Sequence, residues 1–389
     1  MLSPAAKIKL PQWMLDPDLV FLMDTLNHDN INARMVGGCI RNLYFEKNVY
    51  DIDIACSFTP NETIDICKTA GIKTIPTGID HGTVTALVNQ RKFEITTLRQ
   101  DVSTDGRHAH VTFTDNWTQD AKRRDFTINA LYADRDGSIY DPLGTGLYDL
   151  QNHIVRFIGN AEDRINEDYL RILRFFRFYA DYHDNLPDQN ALNACYALEH
   201  GLLKLSDVRI FDELFKLLES THVHRAIQLM EKLSTLEIIE GSAPQLKELT
   251  TLQNILQKPS IIARYYISFK NKKFIKNKKI IKTINLLDEF IKSDNYHDIN
   301  AALYHYDRDI VIQGLLILKA KGNTISDVMI ANAINKKIPQ FPLTATDIMT
   351  EFKVPEGPQV GQYLRMAEDI WIASGFTLHR NEILDRLKS

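Results

Sequence analysis

The sequence predicts an α+β protein with an N-terminal head built on a mixed sheet, followed by a long run of helices. Short strand-like segments alternate with helical ones up to about residue 100, and strand signals nearly vanish beyond about residue 160. Past that point apolar residues recur at helical spacing, as Tyr169, Leu170, Leu173 and Phe176, and again as Phe211, Leu214, Phe215 and Leu218.

Leu19, Phe21, Leu22 and Leu26 give an opening helix over about 18–28, and Ala33-Arg34-Met35-Val36 reads as a short strand. Gly37-Gly38 then turns the chain into a second helix over Ile40 to Phe45. The next strand covers Ile52 to Ala55, Pro60 and Glu62 open a third helix, and Thr83 to Val88 pairs with Lys92 to Thr97. Far downstream, Ile338-Pro339-Gln340-Phe341-Pro342 breaks the helical run. The turn Pro355-Glu356-Gly357-Pro358 leads into a final helical pair.

With 389 residues, 44% of them hydrophobic and 25% charged, the chain is long enough for two or more domains, and its composition argues against disordered and fibrous classes. Cys39, Cys56, Cys67 and Cys195 show neither zinc-site spacing nor a disulfide framework, which suits a reducing compartment. There is no run of eighteen apolar residues and no recognisable targeting stretch, so a cytoplasmic protein with no membrane partner is expected. The net charge of -4 conceals a basic run: Lys270, Lys272, Lys273, Lys276, Lys278, Lys279 and Lys282.

The most informative chemistry begins at Gly37-Gly38-Cys39-Ile40-Arg41-Asn42 and continues at Asp51-Ile52-Asp53. Carboxylates one residue apart on a strand share a face, so Asp51 and Asp53 suit a pair of magnesium ions. Glycines at 37 and 38 let backbone amides approach a phosphate, and Arg41 brings a cation. One ion would lower the pKa of an attacking hydroxyl while the other neutralises leaving pyrophosphate. Glu94, in Lys92-Phe93-Glu94-Ile95, has the alternation expected of a third carboxylate. The plainer reading, a surface strand cap, fits a DxD seen alone.

A second cluster, Arg123-Arg124-Asp125-Phe126-Thr127-Ile128-Asn129, offers adjacent arginines for a triphosphate. Asp125 and Asn129, four apart on an expected helix, would share a face and could hold a ribose. Taken alone, the cluster fits a helix N-terminus with solvated charges. A third cluster places Asp168, Arg171, Arg174 and Arg177 every three residues, a polar stripe opposite Leu170, Leu173 and Phe176. As intrahelical ion pairs these would contribute only about 0.2–0.5 kcal/mol each. Read functionally, an aspartate beside an arginine can pair with the amino group and ring nitrogen that cytosine and adenine share. Guanine or uracil there would leave buried polar groups unpaired, at about 1–3 kcal/mol each.

In this order and spacing the three clusters resemble the class II CCA-adding tRNA nucleotidyltransferases, relatives of bacterial poly(A) polymerases in the polymerase-β-like superfamily. The likeness extends over roughly the first 180 residues through Gly78-Ile79-Asp80-His81-Gly82-Thr83-Val84, Thr97-Leu98-Arg99-Gln100-Asp101, Asp105-Gly106-Arg107-His108, Asp141-Pro142-Leu143-Gly144 and Asp149-Leu150. The resemblance implies a polymerase-β-like head (1–158), a helical neck bearing base recognition (159–225), a helical body (226–335) and a tRNA-binding tail (336–389), together seahorse-like. It also implies magnesium on Asp51 and Asp53, nucleotide binding by Gly38, Arg41 and Arg124, and base reading by Asp168 and Arg171. Arg174 and Arg177 would contact phosphates or brace that pair. The segment Asp101 to Val111 corresponds to the family's flexible loop.

The implied reaction is addition of CMP, CMP and AMP to a tRNA 3′ end from CTP and ATP, with release of pyrophosphate. A poly(A) polymerase, an A-only or CC-only enzyme, and an inactive RNA-binding relative are the alternatives. Asn42 replaces the family's usual aspartate, a change expected to act on structure rather than chemistry. Phe341-Pro342-Leu343-Thr344-Ala345-Thr346-Asp347 resembles a tail motif that normally carries glycine at Ala345 or Thr346. Phe269, Phe274 and Ile280 interleave the basic run, so Lys272, Lys273, Lys276 and Lys279 are candidates for the tRNA backbone, with a solvated helix face as the alternative. His297-Asp298 reads as a loop feature.

Overall fold

A computed structural model describes the chain except residues 1–2, 105–108, 183–185, 241–245, 256–259, 270–274, 294 and 389. Two compact units divide between Ala243 and Pro244.

The first unit is organised by strands β1 (Ala6–Lys7), β2 (Ala33–Val36), β3 (Asp53–Cys56), β4 (Lys73–Gly78), β5 (Thr83–Val88), β6 (Arg91–Thr97), β7 (Arg99–Thr104), β8 (Ala109–Phe113), β9 (Tyr132–Ala133) and β10 (Ser138–Tyr140). Eight of them form one sheet in the order β1-β10-β9-β2-β3-β6-β5-β4, while β7 and β8 make a separate hairpin. The sheet is mixed, as expected, because β3 and β6 pair in parallel while their neighbours are antiparallel. The parallel register sets Asp53 beside Glu94, Ile54 beside Ile95 and Cys56 beside Thr97. Ile54, Ala55, Cys56, Phe93 and Ile95 are buried, which locks that register against a one-residue slip.

The expected helices form close to their predicted bounds. Pro17–Leu26 is capped by Asp16, and Pro60–Thr69 opens on a Thr59/Glu62 capping box. The expected strand over 52–55 begins one residue later, at Asp53. Asp51 therefore precedes β3, although exposure still alternates through exposed Asp51, buried Ile52 and exposed Asp53. Most of the segment expected as a flexible loop over 101–111 is the β7–β8 hairpin, and residues 105–108 lie outside the described residues.

Beyond the sheet come the helices Ala161–Glu167, Leu170–Tyr182, Gln189–Leu198, Asp207–Glu219 and Val223–Lys232. Leu170–Tyr182 packs on Asp207–Glu219 and on Val223–Lys232. Phe175 and Phe178 from that helix meet Phe126 and Phe157, with ring centroids 5.2–6.5 Å apart. These large buried rings tie the helix to the sheet side of the unit.

The second unit is helical among its described residues. Lys278–Lys292 packs on Arg308–Ala320, and Leu246–Ile255 packs on the same partner. The terminal helices Ala345–Phe352, Pro358–Ala373 and Arg380–Lys388 enclose Leu343, Ile348, Val360, Ala367, Trp371, Ile383 and Leu384. The departure from the usual glycine does not disturb the local start of Ala345–Phe352, since Thr344 and Asp347 form a full capping box. Asp298 caps Ile299–His305, so His297-Asp298 is a structural feature.

Candidate functional site

Gly37 and Gly38 stand between β2 and the helix Gly38–Tyr44. Gly37 has φ +71° and ψ -114°, a conformation that side chains resist. A Cβ there would also lie 3.4 Å from the Asn129 carbonyl and 3.7 Å from Arg124 Nη1, while one on Gly38 would lie 3.6 Å from Arg41 Nη2. The glycine pair therefore lies against both cations predicted from sequence, one contributed by its own helix and the other by a distant loop.

The carboxylates lie on and just before the neighbouring strands β3 and β6. Asp51, Asp53 and Glu94 are exposed, with Asp53 and Glu94 side by side across β3 and β6. Desolvation on the sheet side raises the Asp53 carboxyl above its ordinary range, as do Glu94 and Asp51, against the opposing pull of Arg124 and Arg41. The result is a negative pole that Arg124 and Arg41 compensate only in part. Among the described residues no three His, Cys, Asp or Glu side chains form a preassembled metal cage. Magnesium needs none: one or two carboxylates plus substrate phosphates suffice, and the Asp51–Asp53 donor set fits that habit.

Arg41 is buried. Its guanidinium donates to Asn129 Oδ1 and lies 4.7 and 4.6 Å from the Phe178 and Tyr182 rings. Its Nε is buried with no hydrogen-bond partner among the described residues. Asn42, where an aspartate is usual, accepts from the Tyr182 hydroxyl at 2.7 Å and from Arg41 Nη2 at 3.3 Å. It thus links the glycine-led helix to Leu170–Tyr182, consistent with a structural role.

The second cluster differs from its sequence reading. The helix Trp117–Lys122 ends before Arg123, and a single 3-10 turn covers Thr127–Asn129. Asp125 and Asn129 are therefore not on one α-helix with a free ribose-facing side. Both are buried. Asp125 accepts from the Phe126 amide, from Asn129 Nδ2 at 2.9 Å and from Arg174 Nε at 2.7 Å. Burial pushes its carboxyl up, but Arg174 and these donors outweigh that and hold it well below the usual range.

Asp120, which the sequence did not single out, is the hub of this region. Only 1% exposed, it accepts from Arg123 Nε at 2.8 Å, Arg124 Nη2 at 2.9 Å and the Tyr132 hydroxyl at 2.7 Å. Burial raises its carboxyl, while Arg124, Arg123 and Tyr132 together hold it far below its ordinary value. A cue was its spacing, since Asp120 lies three and four residues before the two arginines.

The third cluster is also rearranged. Asp168 is extended and sits at the end of Ala161–Glu167, so the stripe is split rather than borne on one helix. Its Oδ1 accepts from the Leu170 amide at 3.1 Å, and its Oδ2 takes Arg209 Nη2 at 2.7 Å. Arg209 comes from Asp207–Glu219, a partner invisible to local spacing. Arg171 Nη1 donates to the Arg164 carbonyl at 2.8 Å and to Glu167 Oε2 at 2.5 Å. Arg177 Nε pairs with buried Glu213 at 2.5 Å, so Arg174 and Arg177 both brace the unit in this state. Beside Arg171's partners lies a cavity of about 360 Å³ lined by Gln100, Gln119, Lys122, Arg123, Arg164 and Glu167.

Of the basic candidates in the second unit, Lys272 and Lys273 lie outside the described residues. Lys276 and Lys279 are exposed, Lys279 in the first turn of Lys278–Lys292 over buried Ile284, Leu287 and Phe290.

Comparison with known proteins follows the same outline. Residues 33–156 match the "Poly A polymerase head domain" and residues 187–249 the "Probable RNA and SrmB- binding site of polymerase A". The chain is 32% identical over 411 residues to CCA tRNA nucleotidyltransferase 1, mitochondrial, of Homo sapiens, covering 98% of this chain and 93% of that protein. It is 36% identical over 298 residues to a CCA-adding enzyme of Oceanobacillus iheyensis, covering 73% and 70%. Its fold matches the Bacillus stearothermophilus CCA-adding enzyme in complex with CTP at TM-score 0.74 and 22% identity, covering 95% and 96%. The Thermotoga maritima CCA-adding enzyme complexed with tRNA gives 0.68 at 17%, covering 98% of each. With the glycine turn, two arginines and the strand-borne carboxylates converging as above, the chain belongs to the CCA-adding tRNA nucleotidyltransferase family.

Proposed function

We propose that this chain rebuilds the 3′ end of tRNA by adding CMP, CMP and AMP from CTP and ATP. The observation that carries this reading is the meeting of Gly37-Gly38, Arg41 and Arg124 with the negative pole at Asp53 and Glu94, in a chain alike over nearly its full length to CCA tRNA nucleotidyltransferases. Relatives of this fold are known with CTP, with ATP and with tRNA.

In this reading Asp51 and Asp53 hold two magnesium ions, and Glu94 assists from the neighbouring strand. The metal supplies charge neutralisation on the triphosphate and a more acidic attacking hydroxyl. Arg41, Arg124 and the amides after Gly37 bind and orient the triphosphate for in-line attack on the α-phosphate. Asp168 and Arg171 read the base, which requires Asp168 to exchange Arg209 for the nucleobase amino group. Asp125, Asn129, Arg174 and Arg177 keep these groups in place through their buried pairs. Lys276 and Lys279, with Lys272 and Lys273, contribute to a basic track for the tRNA backbone.

The functional division proposed is a catalytic head (1–158), a neck (159–225), a body (226–335) and a tail (336–389). The compartment proposed is the cytoplasm, and four free, buried cysteines suit a reducing interior. Among the described residues no helix is long and apolar enough to cross a membrane.

The test offers tRNA lacking its last three, two or one nucleotides, with labelled CTP or ATP and magnesium. Growth to CCA followed by arrest is the expected result. Long A-tails, A-only or C-only addition, or no incorporation at all overturns it.

A further inference from the structure

We propose that the cleft beside Asp51 is the seat of the RNA 3′-terminal nucleotide, with the Tyr50 ring as its stacking platform. This rests on the nucleotidyl-transfer reading above and names where that reaction's acceptor binds.

The cleft measures about 710 Å³ and lies wholly within the first unit. Its walls are the segment 11–17, the end of the glycine-led helix at Leu43, the loop 46–50 and Arg91. Tyr50 is 80% exposed, though its hydroxyl is held by Asn48 Nδ2 at 3.0 Å. An aromatic face held in the open immediately before a candidate metal ligand has no core to serve. Trp13 also lines the cleft, and its buried indole Nε1 has no hydrogen-bond partner among the described residues. An orphaned indole N–H is a donor suited to a base carbonyl or ribose oxygen.

Short chain separations bring this cleft near the chemistry. Tyr50 and Arg91, which both line the cleft, stand three residues before Asp53 and Glu94, the pair that opens the β3–β6 ladder. Three residues of chain span at most about 11 Å, so Tyr50 lies within that reach of Asp53, on the scale of a single nucleotide. A base stacked on Tyr50 could therefore project its ribose hydroxyl toward Asp51 and Asp53.

Charge favours the base over the phosphate as the recognised group. Arg91 is already paired with Asp16, Lys47 donates to Asp181 at 3.0 Å, and Glu46 adds a negative charge. The lining is thus nearly balanced, unlike a groove that tracks a nucleic-acid backbone. Stacking on aromatic faces is largely indifferent to base identity, as an acceptor site must be if it holds different residues in successive additions.

The experiment compares Tyr50→Ala and Tyr50→Phe with the unmodified chain on tRNA ending at each stage. Tyr50→Ala is expected to raise KM for tRNA about tenfold while KM for CTP stays within about twofold, and Tyr50→Phe is expected to stay near the unmodified value. Independently of turnover, tRNA carrying a photoreactive 3′-terminal pyrimidine, without nucleotide, should crosslink within residues 11–17 or 46–50. An unchanged KM for tRNA, a parallel rise in KM for CTP, or crosslinks confined elsewhere overturns the proposal. Failure of the unmodified chain to extend any tRNA overturns the preceding functional reading instead, whereas the crosslink reports on the cleft alone.

Discussion

Asp53 and Asp120 are two aspartates of one unit with opposite fates. Asp53 is exposed at the start of the interior strand β3, and desolvation together with the neighbouring Glu94 and Asp51 pushes its carboxyl above its ordinary range. Asp120 is buried beneath two arginines and a tyrosine hydroxyl, which hold its carboxyl far below that range. One negative charge is left without a partner and can receive a ligand. The other is fully satisfied and positions the cations that a ligand would meet. In this family member, function concentrates where electrostatic compensation is left incomplete, and stability concentrates where it is complete.

The contrast breaks first at Asp53. Asp53→Asn should lower magnesium-dependent incorporation by about 10³-fold, the scale of several kcal/mol of metal-derived stabilisation, without lowering thermal stability. A melting temperature that falls along with activity would show that Asp53 also carries structure.

Asp120→Ala should do the reverse in kind. Removing one partner of a buried pair leaves uncompensated arginines and costs about 3–5 kcal/mol, visible in denaturant unfolding. The same hub shapes the acid limb. Because folding lowers the Asp120 and Asp125 carboxyls, their contribution is fully present above the unfolded value of about 3.9 and is lost as pH falls toward their folded values. Asp120→Asn should therefore flatten the loss of stability below about pH 4, measured as urea midpoints between pH 5 and 2. An unchanged slope would remove Asp120 from that account.

Asp168 lies between the two extremes, since its carboxylate is paired with Arg209 yet partly exposed. Asp168→Ala should relax discrimination between CTP and UTP by about tenfold or more, while triphosphate affinity largely persists. Unchanged selectivity would leave Asp168 as a helix cap alone. The smallest effect is expected at Asn42. Asn42→Asp restores the family's usual charge beside Arg41 and the Tyr182 hydroxyl, and should change stability by no more than about 0.5 kcal/mol and activity by less than about threefold. A large gain in rate would instead make Asn42 a functional departure.

The sequence by itself determined the order of strands and helices around the DxD, the alternation that exposes Asp51 and Asp53, and the outward face of Glu94, while the parallel pairing of β3 with β6 set Glu94 beside Asp53. These follow from local periodicity: apolar residues of β3 and β6 must be buried, so the intervening carboxylates must face out. It also determined the family, because glycine pair, carboxylates and arginines recur in a fixed order. Only the tertiary structure decided which charges are free. Asp125 and Asn129, expected to face a ribose, are instead held by Arg174 and Arg41; Asp168, expected in a helical stripe, is an extended residue held by Arg209. Those partners lie 41 to 88 residues away, beyond any helical or strand period. A charged side chain's role depends on what reaches it through space, and that depends on the packing of the whole unit.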